Sequence, residues 1–516
     1  LQVTISSQQQ ENLVILENKP LSRHWWESPY LVCTVIFASA LPLVWPDIPP
    51  LADLPGHMSR YYLALNIDES TALQRWFRFD WVLFGNLGVD LIVMPLGALF
   101  GVEIGTKIIV AAIPPLAVWG YILVAREVHG HIPPTAYFAA PFAFSYPFQF
   151  GFVNFSIATA LAFIAFSLWL RMEANRYRSI VFLCISVILW LAHVYGWVVL
   201  CILIFSSEIG SKRNIQSLLI RCASLVSPFI IMIWQAITTQ SSTPLFQDWF
   251  NILPKFVFFF SPLRDHWFIW DFGAIFFLIG IYIVMLRTQS FIVDKGMAIA
   301  AFIFLGIFIL MPRVAMGSVL ADMRLVPFIF ICAFLALRVD NNKPMVIPGA
   351  IALLAIGFAF IRLIGTVYSY FLYDEEFDRE LAAISAIPQN AAMIAMVGDG
   401  HQAEWRLPRK GHIPSFAIIR KQAFSNDQYV IPSQQALRVI RTPAPNFDRD
   451  PSQYAFDVKT MTQQLSKIAI GPGKVDTIWI IDDPRGPPPV PAGMRSAWRS
   501  GSSAVFVIDK EPLEKP

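Results

Sequence analysis

Long apolar runs separated by short polar breaks fill most of the chain. Tyr30–Trp45 is the first, followed by Leu87–Phe100, Ile108–Val124, Phe152–Leu170, Cys222–Ile237, Trp267–Met285, Met297–Met311, Leu325–Leu337 and Val346–Thr366. Several approach the roughly 20 residues that cross a bilayer as a helix. None alternates apolar with polar residues as the strands of a membrane barrel do, and open strands would leave backbone groups unpaired in lipid. The runs therefore predict spanning helices. Ile180–Phe205 is too long for a single span, and LAHVYGW interrupts it, so two short helices meeting at His193–Trp197 are expected. The pattern predicts about 11 spans.

Two stretches between the spans carry a different pattern. In Leu63–Phe84, Arg75, Arg78 and Asp80 are interleaved with Trp76, Phe77, Phe79 and Trp81. That mix predicts a helix lying along the membrane surface, rings inserted and charges in water. Residues 126–150 are aromatic and broken by prolines, and are expected to be interfacial or re-entrant. From about Tyr373 the pattern changes again. The short apolar runs AAMIAMVG, PSFAIIR, TIWIIDD and AVFVID are bounded by Gly, Pro and Asp and predict strands. SQQALRVI and Tyr454–Ile470 predict helices between them, and RGPPPVPAG predicts a stiff loop. The expected organisation is a polar N-terminal tail over 1–28, a helical membrane domain over 29–370 whose first loop is 46–86, and a small α/β domain over 371–516.

Composition sharpens this picture. The 516 residues are 56% hydrophobic and 15% charged, against about 25% charged in soluble domains. A net charge of +3 is too small to imply a nucleic-acid partner. The five cysteines fall in or beside apolar runs, so no disulfide framework or metal-ligand spacing is expected. Residues 1–28 are polar and the first apolar run lacks a small-residue cleavage site, so no cleaved leader is expected. With a cytoplasmic N-terminus, Arg171, Arg176, Arg178, Lys212, Arg213, Arg287, Lys295, Arg338 and Lys343 fall inside, as the positive-inside rule requires. The same parity puts the first loop, the 239–266 and 312–324 loops and the C-terminal domain outside.

The candidate chemistry concentrates in WPDIPPLADLPGHMSRYY, residues 45–62. Asp53, His57 and Arg60 lie at i, i+4 and i+7 and share a face of any helix starting near Asp53. Leu54-Pro55 favours such a start. Asp53 either caps that helix or presents its carboxylate to a cavity as a general base, with His57 and Arg60 as supports. Arg313 and Arg324 bracket the loop PRVAMGSVLADMR; Asp322 either pairs with Arg324 or leaves it to bind an anion. Arg264 in SPLRDHW marks another loop mouth, as an interfacial anchor or a binding group. His193 is an ionisable residue at intramembrane depth, a functional candidate or a neutral imidazole bonded to a freed carbonyl. Asp90 is expected to pair with Arg78 or Arg75.

Taken together, this layout resembles the GT-C superfamily of integral-membrane glycosyltransferases. It shares a first outer loop with an acid just after span one, surface helices in that loop, about 11 spans and an outer C-terminal domain. The resemblance covers residues 25–370, and its motif-level element is Asp53 in ADLPGHMSR. It implies a polyprenyl-phosphate-linked sugar donor and an inverting transfer at the outer face of a bacterial plasma membrane, with Asp53 as general base. The acceptor would be a lipid, a glycan or a protein, and arginines would meet the departing lipid phosphate. Metal-dependent members hold their ion on paired acids in this loop. Here Asp47 and Asp53 are six apart with no Asp-x-Asp, so the spacing does not support a divalent metal, and no cofactor is expected. Two other classes remain open at this point: a lipid or polysaccharide transporter, and a non-catalytic partner in envelope polysaccharide assembly.

Overall fold

The computed structural model describes residues 24–211, 215–238, 246–288, 290–315, 318–340, 344–398, 405–428, 430, 435–445, 447, 454–455, 457–471 and 473–508. Residues 1–23 of the polar N-terminal tail and residues 399–404 lie outside these.

The apolar runs are helices: α1 Pro29–Ala38, α2 Leu54–Asn66, α3 Gly88–Phe100, α4 Val102–His129, α5 Val153–Arg171, α6 Arg178–Ala192, α7 Val194–Gly210, α8 Phe268–Arg287, α9 Lys295–Leu310, α10 Val326–Leu335 and α11 Val346–Leu381. Four are long and apolar enough to cross a membrane: Val102–His129, Val153–Arg171, Phe268–Arg287, and Val346–Ala386 with its terminal turn. Seven shorter apolar helical stretches of 10–17 residues accompany them among the described residues. The chain is thus a multi-pass membrane protein. The break inside Ile180–Phe205 falls where the sequence places it: α6 ends at Ala192 and α7 starts at Val194, with His193 extended between them. Close packing at the centre relies on small residues. A Cβ on Gly196 of α7 would come within 2.8 Å of the Ala158 carbonyl oxygen of α5, the sort of backbone approach that packs helices in lipid.

Two expectations about the intervening segments are corrected and a third is narrowed. The 126–150 stretch, expected to be interfacial or re-entrant, does not lie on the surface of the bundle. Its first residues complete α4, which stops at Gly130 in a left-handed turn (φ +73°), and Pro134–Phe144 forms a 3-10 helix whose residues are nearly all buried against the bundle. The Leu63–Phe84 stretch is not one surface helix: α2 ends at Asn66, and a short strand, β1 Phe77–Phe79, follows. Two of the four rings interleaved with its charges are covered by protein, whereas Trp81 is 49% exposed. Leu73, Trp76 and Phe77 are buried in one core with Ile418, Phe424 and Ile478 of the C-terminal domain. The rings of Trp76 and Phe77 pack 5.3 and 5.6 Å from that of Phe424. An aromatic face looks the same in sequence whether a bilayer or a second domain covers it. Finally, α11 runs unbroken from Val346 to Leu381, so the composition change near Tyr373 falls inside a helix that carries the membrane domain into the next.

The C-terminal domain is a five-stranded mixed sheet. Its strands are β2 Met393–Gly398, β4 Tyr454–Ala455, β5 Thr477–Ile481, β6 Met494–Ser500 and β7 Ser503–Ile508, in the order β6-β7-β5-β2-β4. β2 and β5 run parallel, with Met393 opposite Thr477 and Val397 opposite Ile481. Both are buried throughout, which is why they read as unbroken apolar runs. PSFAIIR is not a strand but the helix α12 Phe416–Lys421, its residues 416–419 all buried; a short continuous apolar run cannot distinguish the two. SQQALRVI contributes not a helix but the strand β3 Leu437–Val439, paired antiparallel with β1 so that Phe77 faces Val439. Tyr454–Ile470 divides into β4 and the helix α13 Val458–Ser466.

The first loop is therefore part of the C-terminal domain's core. Trp76→Ala is expected to cost about 3–5 kcal/mol, read as a lowered thermal midpoint of the detergent-solubilised protein. An unchanged midpoint would mean that the two do not share a core.

Candidate functional site

Asp53 stands immediately before α2, with Pro55 in the first turn, as the sequence predicts. Its side chain does not cap the helix: no hydrogen bond runs from it to the α2 amides. What holds Asp53 is its backbone, whose N–H donates to the Phe150 carbonyl at 2.9 Å. The preceding amide, of Ala52, reaches the Gln149 carbonyl at 3.4 Å. The turn at Gly151 (φ +99°) makes this possible, since a Cβ there would lie 2.7 Å from the Asp53 nitrogen. The carboxylate is 7% exposed and lies at the meeting point of the first loop, the 149–152 turn and the C-terminal domain. From that domain comes His412, whose Nε2 is 3.6 Å from Asp53 Oδ1. His57 is one turn into α2, half-buried, its ring stacked on Tyr61 at 6.2 Å. Burial, with the positive charge of Arg60 and the neighbouring His412, pushes the His57 imidazole well below its ordinary pKa, so it is neutral at pH 7.

Arg60 does not face Asp53. It forms a two-pronged buried pair with Asp90, Nε to Oδ1 at 3.1 Å and Nη2 to Oδ2 at 3.0 Å. Asn154 Nδ2 also donates to Asp90 Oδ2 at 2.9 Å. This corrects two expectations at once: Arg60 is engaged in joining α2 to α3, and Asp90 takes Arg60 rather than Arg78 or Arg75 as its partner. Helical spacing placed Arg60 on a face but could not say what stood opposite.

The remaining candidates gather along the same buried segment, residues 146–155. Arg324 lies flat over Phe152, its guanidinium carbon 3.9 Å from the ring centroid, and its Nη2 donates to the Val319 carbonyl at 3.3 Å. His193 is nearby, its ring against Phe155. Its Nδ1 accepts the Tyr195 amide at 3.1 Å, so it caps α7 rather than meeting a freed carbonyl. Asp322 does not pair with Arg324 but with Lys255, at 2.9 Å. Lys255, which the sequence reading passed over, also donates to the carbonyls of Phe308 and Met311. Arg264 donates to the Trp405 carbonyl at 2.7 Å and to the Tyr146 hydroxyl at 3.2 Å. Arg313 lies over Phe258 at 5.8 Å, 3.7 Å from Asp248; the Phe258 ring in turn packs on Tyr146. One segment thus has Asp53 against its turn, Arg324 and His193 beyond Phe152, and Arg264 and Arg313 around Tyr146.

The groups that fix this arrangement are mostly ones the sequence reading missed. Arg409, 1% exposed, enters from the C-terminal domain. It donates to Asp265 Oδ1 at 2.5 Å, to Gln149 Oε1 at 2.8 Å and to the Pro50 carbonyl. Tyr370 donates to the same Gln149 oxygen at 2.7 Å, and Ser369 to Asp265 at 2.9 Å. A second pair stands behind it. Arg362 of α11 bonds Asp271 of α8 at 3.0 Å, and Trp405 Nε1 donates to the other Asp271 oxygen at 2.9 Å. Asp271 and Arg362 did carry a legible signal, a charge inside an apolar run in FIWDFGA and FAFIRLIG. His412, and Asp427 which contacts its Nδ1 at 2.5 Å, carried none.

Asp53 lines none of three cavities found in the fold. One is a groove of ≈ 870 Å³ between α8 and α11, walled by Trp267, Trp270, Phe277 and Phe358 with Arg362 at its inner side. A narrow apolar cleft lies on the other side of Arg362, beside Val35, Phe144 and Thr366. The third lies where Arg406, Arg409 and Lys410 meet Gly398 and Asp482. No group of three or more His, Cys, Asp or Glu able to hold a metal ion occurs among the described residues.

No protein-family model matches the chain, and no curated protein does. Among solved structures it is similar to the crystal structure of ArnT from Cupriavidus metallidurans bound to undecaprenyl phosphate, at 12% identity and a TM-score of 0.47 over 92% of this chain and 96% of that one. The apo crystal structure of ArnT from the same organism gives 11% identity and a TM-score of 0.47 over 96% and 98%.

Removing one partner of a buried pair leaves an uncompensated charge. Arg409→Met is therefore expected to destabilise the protein by about 3–5 kcal/mol and to expose the 405–415 segment to protease. A variant of wild-type stability and protease resistance would show that Arg409 does not hold the domains together.

Proposed function

We propose that this protein is a membrane glycosyltransferase of the GT-C kind. It transfers a sugar, with inversion, from a polyprenyl-phosphate-linked donor to an envelope lipid, glycan or protein at the outer face of a bacterial plasma membrane. The observation that carries the reading is the placement of Asp53. Its carboxylate is not spent on capping α2, and its backbone is locked onto the Phe150–Gly151 turn. Arg324 sits one residue further along that turn, over Phe152. An acid and a guanidinium held on either side of one rigid turn suit a reaction that takes up a proton at one point and releases a phosphate at another.

In this reading Asp53 accepts the proton of the acceptor hydroxyl while the acceptor oxygen forms its bond to the anomeric carbon. The anomeric carbon–oxygen bond breaks with its electron pair going to the lipid phosphate. Arg324 meets the charge that develops there, with Arg264, Arg313 and His193 around it. Charge-assisted contacts of this kind gain strength where water is excluded. Because Asp53 is 7% exposed, turnover requires the junction to open for the acceptor. Arg60, tied to Asp90, belongs to the scaffold of the site in this scheme. His57, neutral beside Asp53, provides a hydrogen-bonding group without a competing charge.

The transporter reading receives less support. The buried ionic pairs Asp90–Arg60, Asp265–Arg409, Asp271–Arg362, Asp322–Lys255 and Arg178–Glu208 each bind one element to another. A substrate path across the membrane would call for ionisable groups facing a continuous channel.

Asp53→Asn is expected to fold and insert normally and to lose transfer from a polyprenyl-phosphate-sugar donor by 10²-fold or more, roughly the worth of a general base. Full activity in that variant would remove Asp53 from the role. Arg324→Ala is expected to lower kcat/KM for the donor by about 10²-fold while leaving acceptor KM unchanged; an unaltered donor kcat/KM would argue against phosphate contact.

A further inference from the structure

Residues 246–260, just before α8, present apolar side chains outward and hold their charges inward. The short strand Phe246–Gln247 pairs with Val314–Ala315, and a helix, Ile252–Phe259, follows. On one side of that helix Ile252, Leu253 and Phe256 are 79, 72 and 58% exposed. Phe246, Trp249 and Phe250 are exposed before them. The segment has two charges, Asp248 and Lys255, and protein groups hold both. Lys255 donates to Asp322 Oδ2 at 2.9 Å and to the Phe308 and Met311 carbonyls. Asp248 accepts from Asn251 Nδ2 at 3.2 Å and stands 3.7 Å from Arg313. A helix on a water-facing surface does the reverse, turning its charges out and its apolar stripe in.

The backbone before the helix is bent to suit. Asp248 and Phe250 are left-handed, at φ +58° and +55°, which costs a residue with a Cβ about 1–2 kcal/mol. The bends gather three exposed rings, Trp249 lying 6.0 Å from Phe246 and 6.0 Å from Phe250. The apolar face then continues onto α8. Phe256 packs on Phe260 at 4.9 Å, and Phe260 on Phe272 and Phe276 of α8 at 5.8 and 5.3 Å. α8 is long and apolar enough to span a bilayer, and Ile269 and Phe276 stand exposed on it. One apolar surface therefore runs from a spanning helix onto the 246–260 segment. It lies at the end of the bundle that bears the C-terminal domain, where Trp405 packs on Phe268 at 5.0 Å.

We propose that the exposed face of Ile252–Phe259 lies flat in the bilayer leaflet beside that domain, and that this contact sets the depth of the loop carrying Arg324. The occupant of the face is lipid at the headgroup–acyl boundary, where interfacial helices bury their apolar side by about 5–10 Å and where indoles such as Trp249 are favoured. The other side of the helix grips the 313–324 loop at two points. Lys255 holds Asp322, whose second oxygen accepts the Met323 amide at 2.9 Å, next to Arg324. The Arg313 amide donates to the Asp248 carbonyl at 3.1 Å. A helix seated in lipid on one side and bonded to this loop on the other holds Arg324 at a fixed height above the acyl chains. The seat in lipid stands apart from the proposed transfer; its effect on Arg324 rests on that reading.

Depth can be read without turnover. The full chain, with its five cysteines replaced by alanine, takes spin labels at Ile252→Cys, Leu253→Cys or Phe256→Cys in vesicles of phosphatidylethanolamine and phosphatidylglycerol. Each label should meet oxygen more often than a water-soluble nickel chelate, and one at Val490→Cys in the C-terminal domain should show the opposite. Nickel access above oxygen access at the three positions would put the face in water. Shielding from both probes would put it under a partner protein or a second copy, and either result overturns the proposal. The unaltered protein gives an independent reading: a phospholipid with a diazirine on its acyl chain should mark residues 249–256 as well as Ile269 of α8. Marking of Ile269 alone also overturns the proposal. Ile252→Glu together with Leu253→Glu should lower donor kcat/KM about 10-fold in vesicles, and an unchanged value would sever the helix from Arg324. Labels in lipid on a protein that transfers no sugar would defeat the transferase reading and leave the lipid seat standing. Sugar transfer with all three labels in water would do the reverse.

Discussion

The buried pair between Arg409 and Asp265 is the constraint on which the rest of the molecule depends. A guanidinium 1% exposed costs several kcal/mol to desolvate and stays there only if its donors are met. Arg409 meets that requirement by drawing three membrane-domain segments to itself: the first loop through Pro50, the 146–150 turn through Gln149, and the loop before α8 through Asp265. The rings of Tyr370 and Tyr373 on α11 face the same cation at 5.0 and 4.3 Å. One residue of the C-terminal domain thereby sets the relative positions of four elements whose charges would otherwise have no fixed partners.

The candidate site follows from this constraint. Asp53 is three residues from Pro50, and its backbone is bonded to the turn that holds Gln149, so its place is set by the same contacts. His412 is three residues from Arg409, and the segment that carries Arg409 inward delivers the imidazole beside Asp53. Behind these, Arg362 and Asp271 tie α11 to α8, and Arg60 and Asp90 tie α2 to α3. The buried ionic pairs around Asp53 thus stiffen the frame, while the groups argued to act on substrate stand at its inner edge. Stiffness of this kind is what a proton transfer needs, since it is sensitive to small displacements.

What could be read from the chain and what could not divide along physical lines. The helices were legible because a bilayer imposes a length and a composition on each segment separately, and the break at His193 was legible because it interrupts that composition. β2, β5 and β7 were legible as short apolar runs between turn residues. The Leu63–Phe84 stretch misled because its Trp76 and Phe77 rings are buried in a core with Phe424 and Ile418, and hydrophobicity does not name its partner. PSFAIIR misled for the related reason that a run buried on all sides has no periodicity to show. Pairing errors had a single source. Arg60 and Asp90 were given partners from nearby in the sequence, whereas burial selects whichever opposite charge the tertiary packing brings nearest.

By itself the sequence determined a multi-pass helical protein with a mixed C-terminal domain, and it singled out Asp53 as the acid at the mouth of the first span. Those features rest on local rules: span length, helix-start chemistry, and the rarity of charge in apolar runs. Only the tertiary structure decided that Asp53 does not cap its helix and that the first loop shares a core with the C-terminal domain. It alone placed His412 and Asp427, which lie more than 350 residues along the chain, behind that carboxylate. A site assembled from such distant segments leaves no spacing to read, because its geometry is set by packing and by the pairing of buried charges rather than by the order of residues.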